Sequence, residues 1–108
     1  MATHHAASAE AFDVRPLGPR LKESKTSVLV KTDTLELIRI VLPAGKQLPP
    51  HRVDGEITVQ CLEGRISFDA DGTPHELAQG QMLYLAGGAT HALRGIEDSS
   101  ALVTILLR

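Results

Sequence analysis

The sequence predicts an all-β domain, a sandwich or closed barrel of eight or nine short strands. Three observations lead there. Short runs rich in Val, Ile, Leu and Thr recur from Thr26 to the C-terminus. Turn signals fall between them, at Asp33-Thr34, Pro43-Ala44-Gly45, Glu63-Gly64, Asp71-Gly72, Gly80 and Gly87-Gly88. No stretch holds a helical apolar period over the length that a stable helix needs.

The elements follow in order. Residues 1–11 read as a loose tail, because Ala, Ser, Thr and His offer little to bury, and His4 and His5 are a solvated pair within it. In residues 12–25, Pro16, Gly18 and Pro19 break any long helix and leave a short helical turn over Leu21 to Lys25. Ser27 to Lys31 (SVLVK) is a strand. Leu35 to Leu42 (LELIRIVL) is a second, and both of its faces are apolar apart from Glu36 and Arg39. Such a strand is covered on two sides. Gln47 to Asp54 is an extended loop in which Pro49 and Pro50 fix the approach to His51. Ile57 to Leu62, Arg65 to Asp69, Pro74 to Ala78, Met82 to Leu85, Thr90 to Arg94 and Ala101 to Leu107 complete the set. One domain over 12–108 accounts for all of them.

Composition narrows the function. The 108 residues carry a net charge of −2 and no basic block, which argues against a phosphate backbone as partner. With no Trp, two Phe and one Tyr there is no platform for stacked bases. A single cysteine makes no internal disulfide and fits a reducing compartment. No apolar run follows MATHHAASAE, and none approaches the ~18 residues of a membrane span. The expectation is a soluble cytoplasmic protein without nucleic-acid or membrane partners.

Two stretches carry the candidate chemistry. In the first, Gly45 is followed by five residues, then His51, Val53, Ile57 and Gly64. In the second, Gly80 is followed by five residues, then Ala86, Gly88 and His91. These frames, set 15 residues apart within an all-β pattern, resemble the two motifs of a small single-domain cupin. That resemblance covers about 45 to 107. It implies a cupin-type double-stranded β-helix, a jelly-roll barrel, with a short N-terminal extension. It also implies three histidines and a glutamate holding a divalent ion in the barrel. Here Val53 stands at the second histidine position and Ile57 at the glutamate position, so only His51 and His91 remain.

Period-two geometry sends His51, Val53, Gly55, Ile57, Val59 and Cys61 to one side. The expected ligand-binding set is therefore His51, Val53, Ile57, Val59, Cys61 and His91: two imidazoles on an aliphatic wall, suited to a carboxylate, an enol or a sugar hydroxyl. No cofactor is expected. The alternative is a divalent metal held weakly by His51 and His91 and completed by water, in a cupin enzyme of dioxygenase or isomerase type. A third reading is a structural dimer without a ligand. Glu56 would need a bulge at Gly55 to turn inward. Gln60 has outward parity, and His75 sits on the hairpin between the motifs as a surface histidine. No Ser or Cys lies in a nucleophile elbow, and no helix follows Gly87-Gly88 to make a phosphate cradle. Those glycines allow the turn that aims His91 inward. The second apolar faces of Leu35 to Leu42 and Ala101 to Leu107 call for a partner surface, and a homodimer supplies it.

Overall fold

A computed structural model describes residues 4–107 and contains nine strands: β1 Ser27–Lys31, β2 Leu35–Leu42, β3 Gln47–His51, β4 Ile57–Glu63, β5 Arg65–Ala70, β6 Thr73–Ala78, β7 Met82–Leu85, β8 His91–Gly95 and β9 Ser99–Leu106. They form a five-stranded sheet in the order β1-β2-β9-β4-β7 and a four-stranded sheet in the order β3-β8-β5-β6. Every pairing is antiparallel. The jelly-roll architecture expected from the sequence is present.

The core lies between the inner faces of the two sheets. Leu42, Val59, Cys61 and Ala101 come from one; Ile66, Phe68, Leu77 and Leu93 come from the other. Alternation along β4 is strict at first, with Ile57, Val59 and Cys61 buried and Thr58, Gln60 and Leu62 half-buried. The β5–β6 hairpin closes on Asp71 and Gly72, with φ of 48° and 86°. Both values are positive, which is the two-residue turn that matches strand twist and for which Asp-Gly is suited.

Three local expectations change. Gln47 to His51 is a strand, not a loop. Its two prolines lack N–H donors, so β3 stays at the sheet edge, pairs only with β8 and is irregular between Leu48 and His51. The helical turn lies earlier than expected, as a 3₁₀ segment at Gly18–Glu23 with a proline in its first turn. Part of the segment read as a loose tail is tied down, since the Ala6 N–H donates to the Leu29 carbonyl of β1 at 2.8 Å. Residues 1–3 of that segment lie outside the described residues.

The second face of β2 is covered in part by the chain itself. Ile38, Ile40 and Leu42 face the core, while Arg39 and Val41 are buried on the opposite side. Residues 15–18 are fastened over that side. Arg39 Nη2 donates to the Arg15 carbonyl at 2.6 Å, and the Leu17 and Gly18 N–H groups donate to Glu63 at 2.9 and 3.0 Å. Glu63 reaches this face because β4 bulges: Cys61 lies opposite Ala101, but Glu63 lies opposite Ser100, leaving Leu62 as the extra residue.

Candidate functional site

His51 ends β3 and His91 begins β8, and the two are register partners. Their rings meet edge-on, with centroids 4.3 Å apart at an interplanar angle of 61°. His51 is exposed, whereas His91 is 5% exposed and lies parallel to Phe68 at 5.8 Å. The pair therefore sits at a boundary, with one imidazole in solvent and the other backed by the core.

The backbone fixes how these rings present their nitrogens. His91 Nδ1 lies 3.3 Å from the Ala89 carbonyl, and His51 Nδ1 lies 3.4 Å from the Pro49 carbonyl. A carbonyl only accepts, so Nδ1 carries the proton in each neutral ring and Nε2 is left as an acceptor. Burial pushes the His91 pKa below its ordinary value against the opposing pull of the Ala89 carbonyl, and the neighbouring His51 adds to the lowering. Neutral His91 is thus an acceptor held in place from below.

A cavity of about 250 Å³ beside His91 is lined also by Pro50, Asp69, Gly72, Thr90 and Ala92. A second, of about 240 Å³, shares Pro50, Asp69 and Ala92 with it and continues to Gln47, Ser67 and Arg94. Asp69 Oδ1 is buried and has no hydrogen-bond partner among the described residues. A bound hydroxyl or amine would satisfy it. Asp69 was not anticipated from the sequence. Alternation in RISFD puts it opposite Ile66 and Phe68, on the face that period-two reasoning assigns to solvent.

The other expected residues are placed differently from His51 and His91. Ile57 is 3% exposed, and Val59 and Cys61 are fully buried in the packed core. Burial pushes the Cys61 thiol pKa up, and its Sγ donates to the Glu63 carbonyl at 3.3 Å, so it is an inert core thiol. Val53 packs against the core from the 52–56 loop and lines a separate cavity with Asp54, Gly55 and Ile105. Glu56 does not turn inward. Gly55 is wedged where a Cβ would come 1.7 Å from the Leu106 carbonyl oxygen, and Glu56 accepts instead from the Tyr84 hydroxyl on the outer face. Gln60 is half-buried on that face and His75 is exposed. Of the six, only His51 and His91 come together around the mouth.

The donor set does not fit a resident divalent ion. The positions that would complete it hold Val53 and Ile57, which have no lone pairs to offer. Among the described residues, no three His, Cys, Asp or Glu side chains are grouped to hold a metal. Among those same residues, no helix is long and apolar enough to cross a membrane.

Comparison with known proteins gives a consistent result. The family model described as "Cupin domain" matches residues 38–107. The chain is 29% identical over 81 residues to "Uncharacterized protein MJ0764" of Methanocaldococcus jannaschii, covering 71% of this chain and 70% of that one. The crystal structure of the conserved SPY1581 protein of unknown function from Streptococcus pyogenes superposes with a TM-score of 0.77 at 21% identity, over 100% of this chain and 98% of that one. A mutant of salicylate 1,2-dioxygenase from Pseudoaminobacter salicylatoxidans superposes with a TM-score of 0.69 at 17% identity, over 74% of this chain but 25% of that one. At these identities the two structures speak for the fold alone.

Proposed function

The chain belongs to the cupin family, and on that premise we propose that it binds a small hydroxylated metabolite at the mouth formed by His51 and His91. The observation that carries this reading is the pairing of the two imidazoles across β3 and β8, one exposed and one buried and neutral. Nε2 of His91 accepts from a ligand hydroxyl, and Nε2 of exposed His51 accepts from a second. The cavity of about 250 Å³ that His91 lines lies just below the usual range for ligand pockets, so its occupant is small. Residence in the cytoplasm belongs to the same proposal, supported by the single unpaired thiol.

The test is a thermal-shift screen of hydroxy acids and sugars. A ligand at about one hundred times its Kd stabilises the fold by about 2.7 kcal/mol through mass action. That shift is expected to disappear in His51→Ala. A screen in which no such compound shifts wild type, or a shift that survives unchanged in His51→Ala, overturns the proposal. Because Val53 and Ile57 leave the donor set incomplete, this binding is metal-free. A stoichiometric metal in untagged protein, lost on replacing His51 and His91, overturns that part and favours a metal-dependent enzyme.

The homodimer is proposed on a narrower basis than the two-faced strands alone. Residues 15–18 cover Arg39, but Met82, Tyr84 and Leu106 stay exposed on the outer face of the five-stranded sheet, at 58%, 60% and 44%. Light scattering is expected to give a dimer mass for wild type and a monomer mass for Tyr84→Arg. A monomeric wild type removes the claim.

A further inference from the structure

Arg39 is a buried charge whose hydrogen bonding is incomplete. It is 8% exposed, its guanidinium makes one hydrogen bond among the described residues, from Nη2 to the Arg15 carbonyl, and Nε is buried without a partner. No carboxylate of the described residues comes within ion-pair distance of it. A buried cation in this condition is costly unless something pairs with it. Glu63 and Asp13 lie near enough for the Arg39 charge to lower the pKa of each, but neither reaches ion-pair distance, and the two Glu63 oxygens are taken by the Leu17 and Gly18 N–H groups and the Ser100 hydroxyl.

Arg39 lines a cavity of about 440 Å³ beneath the N-terminal segment, together with Asp13, Arg15, Pro16, Leu17 and Arg20. The lining charges are three arginines and one aspartate. Asp13 is already engaged: Arg15 Nε and Nη2 grip its carboxylate at 2.8 to 3.1 Å, holding its pKa down to about 2. Arg20 has no ion-pair or side-chain hydrogen-bond partner among the described residues. The cavity therefore presents two guanidinium groups, Arg20 exposed and Arg39 buried, that no carboxylate neutralises directly.

We infer that this cavity is a second binding site, separate from the histidine mouth, for a small molecule bearing a phosphoryl group. A guanidinium fork matches the oxygens of such a group, and two unpaired forks match a charge near −2 better than the single charge of a carboxylate. The site joins β2 to the N-terminal segment, so an occupant fastens that segment to the sheet.

Isothermal titration of the full chain with inorganic phosphate, at constant ionic strength in chloride, tests the assignment. Saturable one-to-one binding is expected, weakened at least about tenfold in both Arg20→Gln and Arg39→Gln. Acetate at equal concentration is expected to bind more weakly. Arg20→Gln is expected to leave the His51-dependent ligand shift unchanged, which separates the two sites. Arg20 is exposed, so that variant decides the matter even where Arg39→Gln does not fold. No binding of phosphate beyond chloride, or binding unchanged in Arg20→Gln, overturns the site. Acetate binding as tightly as phosphate overturns the phosphoryl assignment.

Discussion

The floor of the barrel and its mouth adjoin, yet they have opposite character. On the floor, Val59, Cys61, Ile66 and Phe68 are fully buried and interlock. At the mouth, His51 is exposed and His91 is buried only because Phe68 and the β8 backbone lie behind it. The sequence row from residue 51 to residue 61 predicts one continuous wall. The structure splits that wall into a packed support and a polar rim. A jelly roll thus keeps a binding edge after its interior has been given over to aliphatic packing. Phe68 is the joint between the two halves, since it belongs to the core cluster and carries His91 on its ring.

Breaking that joint has the largest expected effect. Phe68→Ala removes a fully buried aromatic ring, and a loss of about 3–5 kcal/mol is expected by denaturant titration. The same variant frees the His91 ring, so its imidazole pKa, read by NMR, moves up toward about 6.5. A loss below about 1 kcal/mol would mean that the floor is not a packed support.

A smaller effect comes from the proton. His91 is held neutral by burial, with His51 adding to the lowering, so its folded-state pKa lies below the ordinary value. In the unfolded chain the ring takes its proton near about pH 6.5. Below that pH the unfolded state binds more protons than the folded one, and stability falls until the folded ring titrates as well. The melting temperature of wild type is expected to drop as pH is lowered from about 7 toward about 5, and His91→Gln is expected to flatten that slope. An equal slope in the variant assigns the acid sensitivity elsewhere. Glu63 acts in a lower window. Burial works to raise its pKa, but the Leu17 and Gly18 N–H groups and the Ser100 hydroxyl outweigh it and hold the pKa below the ordinary value. Its contribution is present above about pH 4.3 and lost as pH falls further.

The smallest stability effect belongs to the residue with the largest effect on binding. His51 is exposed at a strand end, so His51→Ala is expected to change stability by no more than about 0.5 kcal/mol while abolishing the ligand-induced shift. A large destabilisation would make His51 part of the support and erase the contrast between floor and mouth.

How far the sequence reveals these regions depends on which rule governs each residue. Strand alternation is a local rule, and it places Ile57, Val59 and Cys61 inward as found. Turn chemistry is local too, and Asp71-Gly72 turns where it should. The meeting of His51 with His91 follows from glycine spacings once the fold is granted. What the sequence hides is set by partners far along the chain. Asp69 reads as a surface residue until Pro50 and Ala92 wall it in. Arg39 reads as a lone charge on an apolar strand until residues 15–18 fold over it. The second face of β2 reads as a subunit interface because nothing in residues 12–25 shows where they will lie.

The extra residue at Leu62 has a consequence for how this chain tolerates a change of length. Losing a residue from a regular strand shifts the register and exchanges inside for outside beyond the gap. Leu62 is an exception, because it has no partner of its own between Cys61 opposite Ala101 and Glu63 opposite Ser100. Without it, the carboxylate falls into plain register with Ser100 and still points away from the core, toward the N-terminal segment. Flattening the bulge while keeping every residue does the reverse, and would drive Glu63 into the aliphatic interior. The spare residue is thus a slack link: the strand can be shortened there, and at that point the two layers stay sorted.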